Sequence, residues 1–126
     1  MGITFLRIED HPVVKGESTL TKNILFETKD FHAWIHCYKD PGDKDDLHCH
    51  NADQTVLILK GECTMGTPGK ATKLLPGSFA MIPKGEFYQL ENSGQGPMVL
   101  LATRGAPPHT SHINYETGVD ARKKEG

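Results

Sequence analysis

The sequence predicts an all-β domain, closed as a barrel or a double-sheet jelly roll. Three observations carry that expectation. Short runs rich in aromatic and β-branched residues recur along the chain, with turn signals every several residues. No stretch of ten or more residues places its apolar positions at the 3.6-residue period of a helix. At 126 residues the chain is long enough for one domain with a real core and too short for two.

Taken in order, Ile3 to Ile8 reads as a short strand ended by His11-Pro12, and Gly16 to Thr21 as a polar loop. Asn23 to Thr28 alternates as a strand, and Lys29-Asp30 turns the chain. Phe31 to Tyr38 puts His32, Trp34, His36 and Tyr38 on one face and Phe31, Ala33, Ile35 and Cys37 on the other. Both faces carry apolar mass, so pattern alone does not choose the inner one. Pro41-Gly42-Asp43 is a turn.

Beyond it, Gln54, Val56 and Ile58 alternate with Thr55, Leu57 and Leu59. A strand apolar on both sides is buried on both sides. A second copy of the chain or a crossing terminal strand would cover the outer side, which motivates a homodimer as the expected state. Glu62 to Met65, Lys70 to Leu75, Ser78 to Ile82, Glu86 to Glu91 and Met98 to Thr103 are further strands. Turns at Gly66-Thr67-Pro68-Gly69, Pro76-Gly77 and Pro83-Lys84-Gly85 and a loop from Asn92 to Pro97 separate them. Residues 1–30 are expected to join the barrel or a partner, 31–104 to form the barrel core, and 105–126 to be a polar tail that frays unless it docks.

Composition narrows the function. Fourteen Lys and Arg against 16 Asp and Glu leave a net charge of −2, without the basic excess expected of a nucleic-acid binder. The longest apolar run, Thr55 to Leu59, is too short to span a bilayer. The opening MGITFLRIEDH lacks the pattern of a signal peptide, and Leu6 stands where a myristoylation site wants Ser or Thr. Three cysteines, Cys37, Cys49 and Cys63, are odd in number and fit no close-pair zinc spacing. Thiols in a reducing cytoplasm are the expectation.

The chemistry concentrates in GDKDDLHCHNADQTVLILKG, from Gly42 to Gly61. In an extended strand His48 and His50 point to one face and Cys49 to the other. A turn over Asn51 to Asp53 would bring Gln54 to the same cavity, and neutral imidazole is the commonest protein ligand for first-row metals. His36 and Tyr38 could line that cavity from the preceding strand. Asp45, Asp46 and Asp53 read as solvated turn charges. His109 or His112 would supply a further ligand only if the tail folded over the mouth, and neither is counted in the site.

Gly42, His48, His50, Gln54 and Gly61 together resemble the first cupin motif, and Gly77, Pro83, Gly85, Tyr88 and Asn92 resemble the second. The resemblance covers about Tyr38 to Thr103. It implies a cupin-type jelly-roll barrel with a metal at its wide mouth, often dimeric. The family's usual glutamate is here Gln54, and its last histidine is Tyr88. The ligand set implied is therefore His48, His50 and Gln54, with Tyr88 either coordinating as phenolate or donating a hydrogen bond to substrate.

The implied cofactor is a divalent transition metal: Fe, Mn, Zn or Ni. Replacing carboxylate by amide leaves such an ion more electron-poor, which favours Lewis-acid over redox work. His36, Tyr38 and Tyr88 are the candidate proton-moving residues, and Glu86, at the parity of Tyr88, is a weaker candidate acid. The expected activity is non-redox lyase, isomerase or cyclase chemistry on an oxygen-rich small molecule. The alternatives are an iron-dependent dioxygenase and a non-catalytic small-molecule-binding or sensing cup.

Overall fold

The computed structural model describes residues 2–11 and 20–122. Ten strands are described: β1 (Leu20–Glu27), β2 (Phe31–Tyr38), β3 (His48–Cys49), β4 (Gln54–Lys60), β5 (Cys63–Thr67), β6 (Lys70–Leu74), β7 (Phe79–Ile82), β8 (Gln89–Asn92), β9 (Met98–Gly105) and β10 (Ile113–Asn114). Their pairings are antiparallel. A five-stranded sheet runs in the order β1-β2-β9-β4-β7, and a three-stranded sheet runs β6-β5-β8. The small β10-β3 pair makes a third sheet. The chain is an all-β jelly-roll barrel, as its pattern predicts. No described helix is long and apolar enough to cross a membrane.

Register settles which face of β2 is inside. Trp34 pairs with Ala102, and Ala102 pairs with Val56, so the three share one surface. Each is 5% exposed or less. They join Tyr38, Ile58, Met98 and Leu100 in the main core, against Cys63 and Leu90 of the opposite sheet. The other face is also covered. Ile35, Cys37 and Val99 form a second cluster with Ile8, Leu25, Leu59 and Leu101 packed on it. Part of the cover is thus the chain's own N-terminal segment. At the sheet edge, Phe79 and Met81 of β7 remain 70% and 61% exposed.

Ile8 makes this contact from a 3-10 turn, Ile8–Asp10, and not from a strand. The strand expected over Ile3 to Ile8 does not form. Its apolar parity switches between Phe5 and Leu6, and no described strand pairs with it. Ile3 and Phe5 are accordingly 84% and 85% exposed. The loop expected from Gly16 falls mostly outside the described residues, and β1 already begins at Leu20. Cys37, Cys49 and Cys63 are buried, and no disulfide joins them.

One buried polar side chain and one close backbone approach pin the closed end of the barrel. Asn92, fully buried, donates through Nδ2 to the carbonyls of Tyr38 and Gly96 at 2.9 Å each and accepts from the Gly94 amide at 3.0 Å. Gly61 has φ +81°, and a Cβ there would lie 2.5 Å from the Pro97 carbonyl oxygen and 2.9 Å from the Met98 Cα. Both obstacles are backbone, so neither can step aside. Gly61→Ala is therefore expected to destabilise the barrel by roughly 2–4 kcal/mol, from left-handed strain plus the clash. Urea denaturation reads this as a lower midpoint at unchanged slope, whereas Gly42→Ala, with nothing within 4 Å of its Cβ, loses less.

Candidate metal centre at the barrel mouth

His48 is placed by main-chain bonding. It exchanges two backbone hydrogen bonds with Tyr88, at 3.0 and 2.9 Å, which sets their side chains together with ring centroids 4.6 Å apart. Two residues on, His50 faces the same cavity. The imidazoles are 3% and 7% exposed, and their Nε2 atoms lie 3.1 Å apart.

The opposite nitrogens decide what that short distance means. Nδ1 of His48 lies 2.6 Å from the Asp46 carbonyl oxygen, and Nδ1 of His50 lies 2.7 Å from the Ser111 carbonyl oxygen. A carbonyl only accepts, so each Nδ1 carries the proton and each Nε2 presents a bare lone pair. Two lone pairs then face one another. A shared proton is disfavoured, because burial holds both rings below the ordinary histidine range, His50 down to about 3 with Arg104 adding to the effect. A metal cation fits. Two nitrogens each about 2.1 Å from one ion, at near a right angle, stand about 3 Å apart.

A third imidazole joins them. His48, His50 and His112 can each offer a ligand atom within a span of 4.8 Å. His112 lies in the polar tail, and the tail docks. β10 pairs with β3, Ile113 opposite Cys49 and Asn114 opposite His48. Asn51 clips the approach, its Nδ2 donating to the His109 carbonyl and its Oδ1 accepting the Ser111 amide at 2.8 Å. The His112 ring stacks on His48 with centroids 4.0 Å apart, and its Nε2 lies 2.8 and 3.0 Å from the two carboxylate oxygens of Asp46. In the neutral ring with Nε2 donating to the carboxylate, the lone pair is on Nδ1. This is the usual outer support of a metal-binding histidine.

The predicted residues converge unevenly. Gln54, 4% exposed, lines the same cavity, and its Oε1 accepts from Nη1 of Arg104 at 3.3 Å. Tyr88 lines it too, but burial, reinforced by Asp45, holds its phenol well above the ordinary value. Without a cation beside it the phenol is therefore protonated and able to donate. His36 packs on Tyr38 at 4.5 Å and is pushed to about 4 by burial and then Lys22, so it is a neutral imidazole at neutral pH. Tyr38 is fully buried, and its hydroxyl donates to Asp45 at 3.0 Å.

Three further expectations change. Asp45 is not a solvated turn charge: its carboxylate accepts from Tyr38 and from the Leu90 amide at 2.8 Å. Asp46 holds His112 and accepts from Asn114 Nδ2 at 3.1 Å. Glu86 is exposed in the turn closed by its amide to Pro83, outside β8, and takes no part in the cavity. Asp53 remains exposed and accepts the Lys84 amide at 2.9 Å. Sequence reasoning passed over Arg104 and Lys22, which also line the cavity of about 130 Å³. The signal for Arg104 was its parity with Met98, Leu100 and Ala102, the apolar series of the last long strand.

Residues 36–104 match the Cupin domain family. Among curated proteins, Auxin-binding protein T92 of Nicotiana tabacum is 25% identical over 104 residues, covering 74% of this chain and 55% of that protein. The chain thus spans about half the length of the curated relatives it matches. Among solved structures, a double-stranded β-helix protein of Klebsiella pneumoniae superposes with a TM-score of 0.74 at 18% identity, covering 88% of this chain and 97% of that one. A cupin-superfamily sugar phosphate isomerase of Silicibacter pomeroyi superposes with a TM-score of 0.65 at 16% identity, covering 79% of each chain.

The half-buried Asp45 makes a pH prediction. Burial raises its carboxyl to about 6, from an ordinary value near 3.8. Between those values the folded state holds more protons than the unfolded one, so this group's contribution to stability falls as pH rises from about 4 to 6. Asp45→Asn is expected to flatten the fall, by on the order of 2 kcal/mol across the window. Urea titrations of both proteins from pH 4 to 7 measure the difference.

Proposed function

The chain belongs to the cupin family, and we propose that its barrel mouth holds a divalent metal and performs Lewis-acid chemistry without redox change on a small oxygen-rich substrate. The observation that carries this reading is the pair of unprotonated Nε2 atoms fixed 3.1 Å apart by carbonyls behind them. His48, His50 and, through Nδ1, His112 are the proposed ligands. Gln54 is a neutral fourth donor or a positioner of Arg104. When bound, the ion polarises a carbonyl or hydroxyl oxygen, and a carboxylate-free ligand set leaves it electron-poor.

The chain's own residues supply the rest. His36, neutral and facing the cavity, accepts a proton. Tyr88 keeps its hydroxyl proton and donates to a substrate oxygen. Tyr38, tied to Asp45, holds the cavity floor. Lyase, isomerase or cyclase steps need no more than this: a polarised oxygen, one base and one donor. A homodimer through the β7 edge, where Phe79 and Met81 are exposed, belongs to the same proposal.

A non-catalytic cup is the second reading, favoured by the similarity to a protein named for binding auxin. Elemental analysis of protein prepared without a histidine tag separates the two. About one divalent ion per chain is expected, lost in the His48→Ala, His50→Ala double variant with the barrel still folded. His112→Ala is expected to weaken Co²⁺ binding by about tenfold or more, as loss of a ligand or its support does. A turnover screen under anaerobic conditions should find activity. Strict oxygen dependence would overturn the non-redox reading, and a metal-free protein that still binds small molecules would favour the cup.

A further inference from the structure

Arg104 is 4% exposed, and no carboxylate pairs with it among the described residues. Its Nη1 donates to Gln54 at 3.3 Å, while its buried Nε has no partner. A buried guanidinium is ordinarily paired, because an uncompensated charge in the interior is costly. Here the surroundings add to the charge. Lys22 lies over Trp34, its Nζ 4.3 Å from the ring centroid, and the Arg104 guanidinium lies 4.9 Å from the same ring. Arg122 lines the same cavity, and burial, then Arg104 and Arg122, depress the Lys22 ammonium. Glu27 and Asp120 act on Lys22 and Arg122 from a distance, but no carboxylate forms an ion pair with the three cations among the described residues. Asp45 is bound by Tyr38 and Leu90, Glu27 sits by His32, and Asp120 accepts the His112 and Arg122 amides.

Resting on the reading of the mouth as a small-molecule site, we propose that Arg104, Lys22 and Arg122 form an anion-binding wall that takes the carboxylate of a compact organic acid beside the histidine cluster. The edge of Arg104 carrying the unpartnered Nε presents two parallel N–H groups, and a planar carboxylate meets that edge bidentately. Gln54 has a part in this. A glutamate there would neutralise Arg104 from within, whereas the amide accepts one hydrogen bond and leaves the positive charge for the ligand.

Trp34, the single tryptophan of the chain, lies under Lys22 and Arg104 and reports occupancy of the wall. The test titrates EDTA-treated protein with pyruvate, with the uncharged methyl pyruvate and with inorganic phosphate while following Trp34 fluorescence. Pyruvate should give a saturable change that methyl pyruvate does not. Arg104→Gln should weaken pyruvate at least tenfold, Lys22→Met about threefold, and Gln54→Glu at least tenfold by placing a carboxylate on Arg104. Circular dichroism checks each fold, and Lys22→Met and Gln54→Glu decide the matter if Arg104→Gln does not fold. Equal responses to pyruvate and its ester, or unchanged affinity in the folded variants, would overturn the wall. Tighter saturation by phosphate would overturn the carboxylate assignment. Loss of Co²⁺ binding with the pyruvate response intact defeats the metal reading alone, and the converse defeats this one alone.

Discussion

Two carbonyl oxygens govern the site. Those of Asp46 and Ser111 each take the Nδ1 proton of a buried histidine, and so turn the bare nitrogens of His48 and His50 toward one another. An imidazole pair left to itself would share a proton or swing apart. Neither escape is open in a cavity that disfavours the charged ring and on a strand whose backbone is locked to Tyr88. The remaining polar features arrange themselves around this constraint. Asp46 supplies a carbonyl to one histidine and a carboxylate to another, and Asn51 holds the segment that carries the Ser111 carbonyl.

The barrel itself was legible because strand parity and turn chemistry are local. Phe31 to Tyr38 forms β2 with the expected bounds, and Pro68-Gly69 closes the hairpin between β5 and β6. His-x-His spacing likewise fixes the facing of His48 and His50 without any tertiary knowledge. What could not be read depends on contacts across long separations. His112 acquires meaning only when β10 pairs with β3, and Asp45 leaves solvent in part only because Leu90 and Tyr38 donate to it. Ile3 to Ile8 failed for the opposite reason: strand-like composition without a neighbouring strand to pair with.

Polarity grades along the inside of the main sheet. At the closed end Met98, Leu100 and Ile58 pack against Cys63 and Leu90, while toward the mouth Arg104 near the end of β9 pairs directly with Gln54 at the start of β4. One strand thus begins as core and ends as site. The substitution of amide for the usual carboxylate at position 54 acts on both neighbours at once, lowering the negative charge near the histidines and leaving Arg104 uncompensated.

The docked tail has a consequence for how the protein fails. Ser111 and His112 reach the mouth from 61 or more positions along the chain, held by a two-residue ladder, the Tyr115 amide on the Leu47 carbonyl, the Tyr115 ring on Phe87, the Asn51 clip and the Asp46 contacts. The barrel beneath rests on eight-residue pairings such as β2 with β9. A segment with so few interior contacts opens at lower free energy than the body it covers. Under mild heat or denaturant the protein will therefore lose its third imidazole and the alignment of His50 while its strands stay paired, becoming incompetent before it becomes unfolded.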